Sequence, residues 1–139
     1  MIIRLASYSD ASELKRLNDL FNGEGCNTVK AIEESIKGNK QEIICVAGDG
    51  STLVGFCCRQ VLKSMSYAAK YGEITELYVE EEYRRQGIGR KLLRTIETEL
   101  SERGVKHLHI LTGEENIVAQ TLYSSYGYAK TTEVLFDKG

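Results

Sequence analysis

Glu73-Ile74-Thr75-Glu76-Leu77-Tyr78-Val79 and, just beyond it, Arg84-Arg85-Gln86-Gly87-Ile88-Gly89-Arg90 decide the fold, because together they join a strand to a helix. The first segment is rich in strand formers. After the second, Ile88, Leu92, Ile96 and Leu100 recur every four residues with Leu93 beside them, as an amphipathic helix requires. Gly87 and Gly89 let the backbone at the start of that helix approach a ligand without intervening side chains. The first amides of a helix lack intrahelical acceptors and carry the positive end of its dipole. The turn therefore reads as a seat for a phosphate or pyrophosphate. It is no P-loop, since no Gly-Lys-Ser/Thr follows, and it lacks the third glycine of the dinucleotide fingerprint.

A second motif lies downstream, in Asn116-Ile117-Val118-Ala119-Gln120-Thr121-Leu122-Tyr123-Ser124-Ser125-Tyr126-Gly127-Tyr128. Val118, Leu122 and Tyr126 form one helical stripe, Asn116, Ala119 and Tyr123 another, and Gly127 is a natural stop. By themselves, Asn116 suits an N-cap and Tyr123 a core aromatic. The glycine pattern alone arises by chance in roughly one chain in eight, but the Asn-x-x-Ala-x-x-x-Tyr-x-x-x-Gly-aromatic pattern in only about one in ten thousand. Their joint occurrence, in this order, carries the assignment.

On these residues the chain resembles the GNAT superfamily of acetyl-CoA-dependent N-acetyltransferases. The likeness covers nearly the whole length in element order and is specific from Glu73 to Tyr128, whereas the first third matches only in its strand, two helices and hairpin. The resemblance implies an α/β fold with a mixed sheet, splayed at the cofactor site and flanked by helices on both faces. It also implies roles. The N–H groups from Arg85 to Arg90, through Gln86, Gly87, Ile88 and Gly89, would hold the pyrophosphate, with the Arg84, Arg85 and Arg90 side chains adding charge. Leu77, Tyr78 and Val79 would border the pantetheine, the Val79 N–H would stabilise the oxyanion, Asn116 would bind the pantetheine, and Tyr123 would protonate the leaving sulfur. Glu73 and Glu76 each match an acidic position of some relatives, which makes either the candidate base. On a regular strand the two face opposite ways, an arrangement a bulge alters.

An amine is mostly protonated at neutral pH, so acyl transfer to it needs a base or a desolvating pocket. The expected reaction is direct transfer to a small-molecule amine in a ternary complex, with aminoglycosides and polyamines as candidate acceptors. A protein N-terminal or lysine acetyltransferase is the rival enzyme, and a non-catalytic acyl-CoA sensor the rival of another class.

Composition sets the remaining expectations. The 139 residues suit one domain, spanning 1–139. Eighteen Lys and Arg against twenty Asp and Glu, a formal charge of −2, argue against a nucleic-acid or basic membrane-binding face. No apolar run approaches a membrane span and the start lacks signal-peptide architecture, which points to a cytoplasmic protein. Cys26, Cys45, Cys57 and Cys58 lack metal spacing and read as reduced, buried thiols. His107 and His109 share a strand face without an evident third ligand, so no metal is expected.

The expected order is β-α-α-β-β-β-α-β-α-β. It begins with a strand at Ile2–Leu5 and a helix entered through Asp10-Ala11-Ser12-Glu13, and ends with a strand at Thr131–Phe136. Exposed sheet edges and that terminal strand permit a homodimer.

Overall fold

Strand-forming runs broken by Asp49-Gly50 and by the polar loop at 63–70 fold into consecutive antiparallel neighbours, since short connections leave no room for a crossover. The computed structural model describes residues 1–139. Strands β1 (Ile2–Leu5), β2 (Glu42–Asp49), β3 (Thr52–Leu62) and β4 (Tyr71–Val79) are antiparallel in that order, and β5 (His107–Ile110) lies parallel to β4 at the edge. Helices α1 (Ala11–Asn22) and α2 (Val29–Gly38) precede β2, α3 (Ile88–Glu102) makes the β4–β5 crossover, and α4 (Ile117–Ser125) follows β5. The mixed sheet and its order match the expectation as far as α4.

Each face of the sheet carries its own core. On one, Leu14 and Leu17 of α1 and Ile32 of α2 pack on Val46, Phe56 and Cys58. On the other, Ile88, Leu92, Leu93, Ile96 and Leu100 of α3 cover Cys45, Cys57 and Ile74. Cys57 and Cys58 thus face opposite ways, as strand alternation demands. Arg59 is only 1% exposed on the α3 side, where its fork grips Glu99 at 2.9 and 2.6 Å and the Gln41 carbonyl at 2.9 Å. A buried guanidinium persists only when so fully satisfied.

Four local expectations are corrected. Helix α1 is entered one turn early, through a 3-10 turn at Tyr8–Asp10. Asp10 caps nothing in α1, because its carboxylate is taken by Arg4, at 2.7 and 2.9 Å, and by the Ser7 N–H at 2.7 Å. The stripe of α4 is rotated: Leu122, Tyr123 and Tyr126 pack on the α3-side core while Val118 is 79% exposed. Cys26 is exposed in the α1–α2 loop, its thiol donating to the Asn22 carbonyl at 3.2 Å. Thr131–Phe136 forms no strand, and Phe136 is 92% exposed. Val134, Leu135 and Phe136 fall consecutively, so no single face gathers them, and β5 offers only a four-residue edge.

Candidate active site

The base candidates come together through an irregularity in β4. Opposite β3, Cys58 pairs with Glu76 but Arg59 pairs with Ile74, leaving Thr75 as an extra residue. Such a bulge reverses the alternation of everything beyond it. Ile74 and Leu77 therefore both face the α3 core, and Glu73, opposite Gln60, shares the α1–α2 face with Glu76. Burial raises the Glu76 carboxyl above its ordinary value, against the opposing pull of a hydrogen bond from Asn22. Glu42 of β2 is also raised, first by burial and then by the charge of Glu76. The Cys58 thiol lies near both and is pushed well up by burial. Above them Tyr78 stacks on Phe21 of α1 at 5.1 Å between centroids.

The far end of β4 is held along one edge only. Its pairing with β5 runs from Tyr71 to Ile74 and stops there. The Glu80 N–H donates to the Val54 carbonyl of β3 at 2.7 Å. Strand alternation then turns the N–H groups of Leu77 and Val79 to the opposite edge, where β5 does not reach. These donors stand at the opening that the resemblance called for. Gly55, opposite Val79, has no room for a Cβ, which would meet the Tyr78 carbonyl at 2.8 Å.

The glycine-rich turn ends in α3. Arg85 (φ 64°) and Gly87 (φ 79°) both adopt the left-handed conformation, a form that aims successive amides into a common concavity. The first helical bond runs from Lys91 N–H to the Gly87 carbonyl at 3.1 Å. The N–H groups of Arg85, Gln86, Gly87, Ile88, Gly89 and Arg90 find no acceptor within the protein. A Cβ on Gly87 would meet nothing within 4 Å, so the concavity is open. A diphosphate fits such a row of donors at a helix N-terminus. The arginines are placed differently from expectation. Arg84 turns back to the Val79 carbonyl at 2.8 Å and lies over Tyr78, and Arg90 donates to Ser125 Oγ at 2.6 Å. Of the three, Arg85 alone makes no side-chain bond.

Helix α4 supplies the remaining candidates. Asn116 is its N-cap, Oδ1 accepting from the Ala119 N–H at 3.2 Å, which leaves the amide NH2 free to donate. Tyr123 is half-buried beside Tyr128, whose hydroxyl donates to Glu97 at 2.6 Å. Burial, and then the proximity of Cys57, push the Tyr123 phenol up to about 12. Tyr123 packs on the Cys57 and Leu77 face of the sheet, and the glutamates lie on the other. The open edge of β4 joins the two faces. Asn22, Glu42 and Arg16 escaped the sequence reading, because nothing along the chain signals which helix covers which strand. His107 and His109, with Nε2 atoms 3.0 Å apart, lie on β5 at the paired end of β4.

The sequence profile of the acetyltransferase (GNAT) family matches residues 12–128. An uncharacterized N-acetyltransferase of Chlorobaculum tepidum is 34% identical over 110 residues, covering 79% of this chain and 66% of that protein. The chain spans between 40% and 66% of the length of the curated relatives it matches. Among solved structures, an aminoglycoside acetyltransferase from an uncultured soil metagenomic sample, in complex with trehalose, superposes with a TM-score of 0.87 at 20% identity, covering 99% of this chain and 95% of that one. A ribosomal-protein-alanine N-acetyltransferase from Brucella melitensis gives 0.84 at 19% identity, with both chains fully covered. At these identities the two structures establish a common fold.

Proposed function

The chain belongs to the acetyltransferase (GNAT) family, and from that premise we propose that it acts as one domain, moving the acetyl group of acetyl-CoA to a primary amine of a small molecule by direct transfer. The observation that carries this reading is the run of amides without acceptors from Arg85 to Arg90 at the head of α3. When bound there, acetyl-CoA supplies an activated acyl carbon and a thiol leaving group. The amides from Arg85 to Arg90 hold the diphosphate, and the Asn116 amide and the β4 edge at Leu77, Tyr78 and Val79 receive the arm. The Val79 N–H donates to the oxygen that gains negative charge during transfer. Glu76, its basicity raised by burial, accepts the proton of the attacking amine, directly or through water, with Glu73 as a second carboxylate on the same face. Tyr123 gives its proton to the departing sulfur, and its elevated pKa keeps that proton in place at neutral pH.

Glu42, Glu73 and Glu76 on one face favour a cationic acceptor, as an aminoglycoside or polyamine is. A peptide amine is the second reading, favoured by Met65 and Tyr67, which stand 94% and 71% exposed on the 63–70 loop. Titration with CoA by calorimetry, followed by a thiol-release screen over polyamines, aminoglycosides, amino acids and peptides, tests the proposal. Binding with turnover of a small amine supports it. Turnover of peptides alone favours the second reading, CoA binding without turnover of any amine favours a sensor, and absence of CoA binding ends it.

A further inference from the structure

Arg16 of α1 is the most heavily used side chain between α1 and the sheet. Its Nε and Nη2 grip the two Glu13 oxygens at 2.8 and 3.1 Å, Nη1 reaches Glu80 Oε1 at 2.9 Å, and Nη2 also donates to the Leu53 carbonyl at 2.8 Å. Glu13 Oε1 completes the knot by accepting the Leu53 N–H at 3.0 Å. Two hydrogen-bonded carboxylates hold the guanidinium charged at any accessible pH, the Glu13 bond first, and hold its plane fixed.

The place of this knot in the fold gives it a task. Beyond Ile74, β4 has a neighbour on the β3 side only. A strand held along a single edge twists more freely than one paired on both, yet its last residues carry the N–H aimed into the gap. Glu80 directly follows Val79, and its backbone already bonds Val54, the residue after Leu53. Arg16 therefore ties the exit of β4 to the entry of β3 through side chains, beside the backbone ladder. The same helix reaches β4 at its other end, where Phe21 stacks on Tyr78.

We propose that Arg16 is a positioning residue, which orients the Val79 N–H toward the acyl oxygen by fixing Glu80. This deepens the reading above and rests on it. An oxyanion donor acts through preorganisation, so a small loss of aim lowers the rate without touching the phosphate cradle.

The test uses Arg16→Gln and, to remove the acceptor that Arg16 grips, Glu80→Ala. Carbonyl-labelled acetyl-CoA bound to the protein is followed by isotope-edited infrared spectroscopy, which reads the hydrogen bond to the acyl oxygen without any acceptor. Both variants should lose most of the downward carbonyl shift seen in the parent protein. Each should also lower kcat by about 10- to 100-fold. Affinity for CoA, which has no acyl oxygen, should stay within about twofold. The double variant should be no worse than either single one, since both break one tie. An unmoved carbonyl band in folded Glu80→Ala, a parallel fall in CoA affinity, or additive losses would overturn the role of Arg16. Failure of the parent protein to bind acetyl-CoA would instead overturn the acetyltransferase reading, and this role with it.

Discussion

Replacing Tyr123 by phenylalanine removes one oxygen from the candidate site. The Tyr123 hydroxyl makes no hydrogen bond within the protein, so its loss strands no buried partner, and the ring keeps its place against Tyr128. The melting temperature should move by no more than about 2 °C. Affinity for acetyl-CoA should also hold, because the amides at the head of α3 are untouched. Turnover should not. Without a positioned acid the thiolate must leave unprotonated or take its proton from solvent, which costs about 100- to 1000-fold, or roughly 3–4 kcal/mol in the barrier. The assay is release of free thiol at saturating acetyl-CoA and amine. With the phenol pushed up to about 12, its proton is present through pH 10, so Tyr123 should impose no alkaline fall in kcat below that value. Turnover of Tyr123→Phe within about threefold of the parent would refute the acid role. A fall near pH 8 that vanishes in the variant would refute the raised pKa.

Glu76→Gln should abolish the acid limb of the kcat/KM profile and lower turnover at least about 100-fold. Because burial raises the Glu76 pKa, its ionised form weakens the native state, so the variant should be the more stable at pH 7 and lose that advantage as acid protonates the parent. Gly89→Val should fold, valine being the better helix former, but its Cβ would press on Leu122 Cδ2 at 3.3 Å and its branches crowd the cradle. CoA affinity should drop at least about tenfold by calorimetry, and an unchanged constant would count against the cradle. Asp10, held down to about 2 chiefly by its hydrogen bond to Arg4, stabilises the fold fully above its unfolded value near 4. Asp10→Asn should lose about 2 kcal/mol at pH 7, and the gap to the parent should close as pH falls from 4 to 2 in acid-unfolding curves.

The sheet, the hairpin and α3 were legible because each announces itself locally, by alternation, by Asp49-Gly50 and by a four-residue repeat ending in leucine. The start of α3 was legible too, since Gly87 stands immediately before the four-residue repeat. What the chain hides is relational. The extra residue at Thr75, which turns Glu73 to the side of Glu76, depends on pairing with β3 rather than on any turn residue in β4. Arg84 and Arg90 looked available to phosphate, yet each finds a neutral acceptor nearby, the Val79 carbonyl and the Ser125 hydroxyl. The end of the chain misled for the opposite reason. Its residues favour extended backbone, but a strand also needs a face to bury and an edge to join.

The unequal placement of the four thiols has a practical side. Cys45, Cys57 and Cys58 are sealed in the two cores, whereas Cys26 stands open in the loop between α1 and α2. A maleimide dye therefore finds a single point of attachment on the folded chain, without any engineering. That thiol donates to the backbone carbonyl of Asn22, whose side chain lies near enough to Glu76 to lower its pKa. Emission from a fluorophore there would register an amine docking at the carboxylate, and so rank acceptors before any of them reacts.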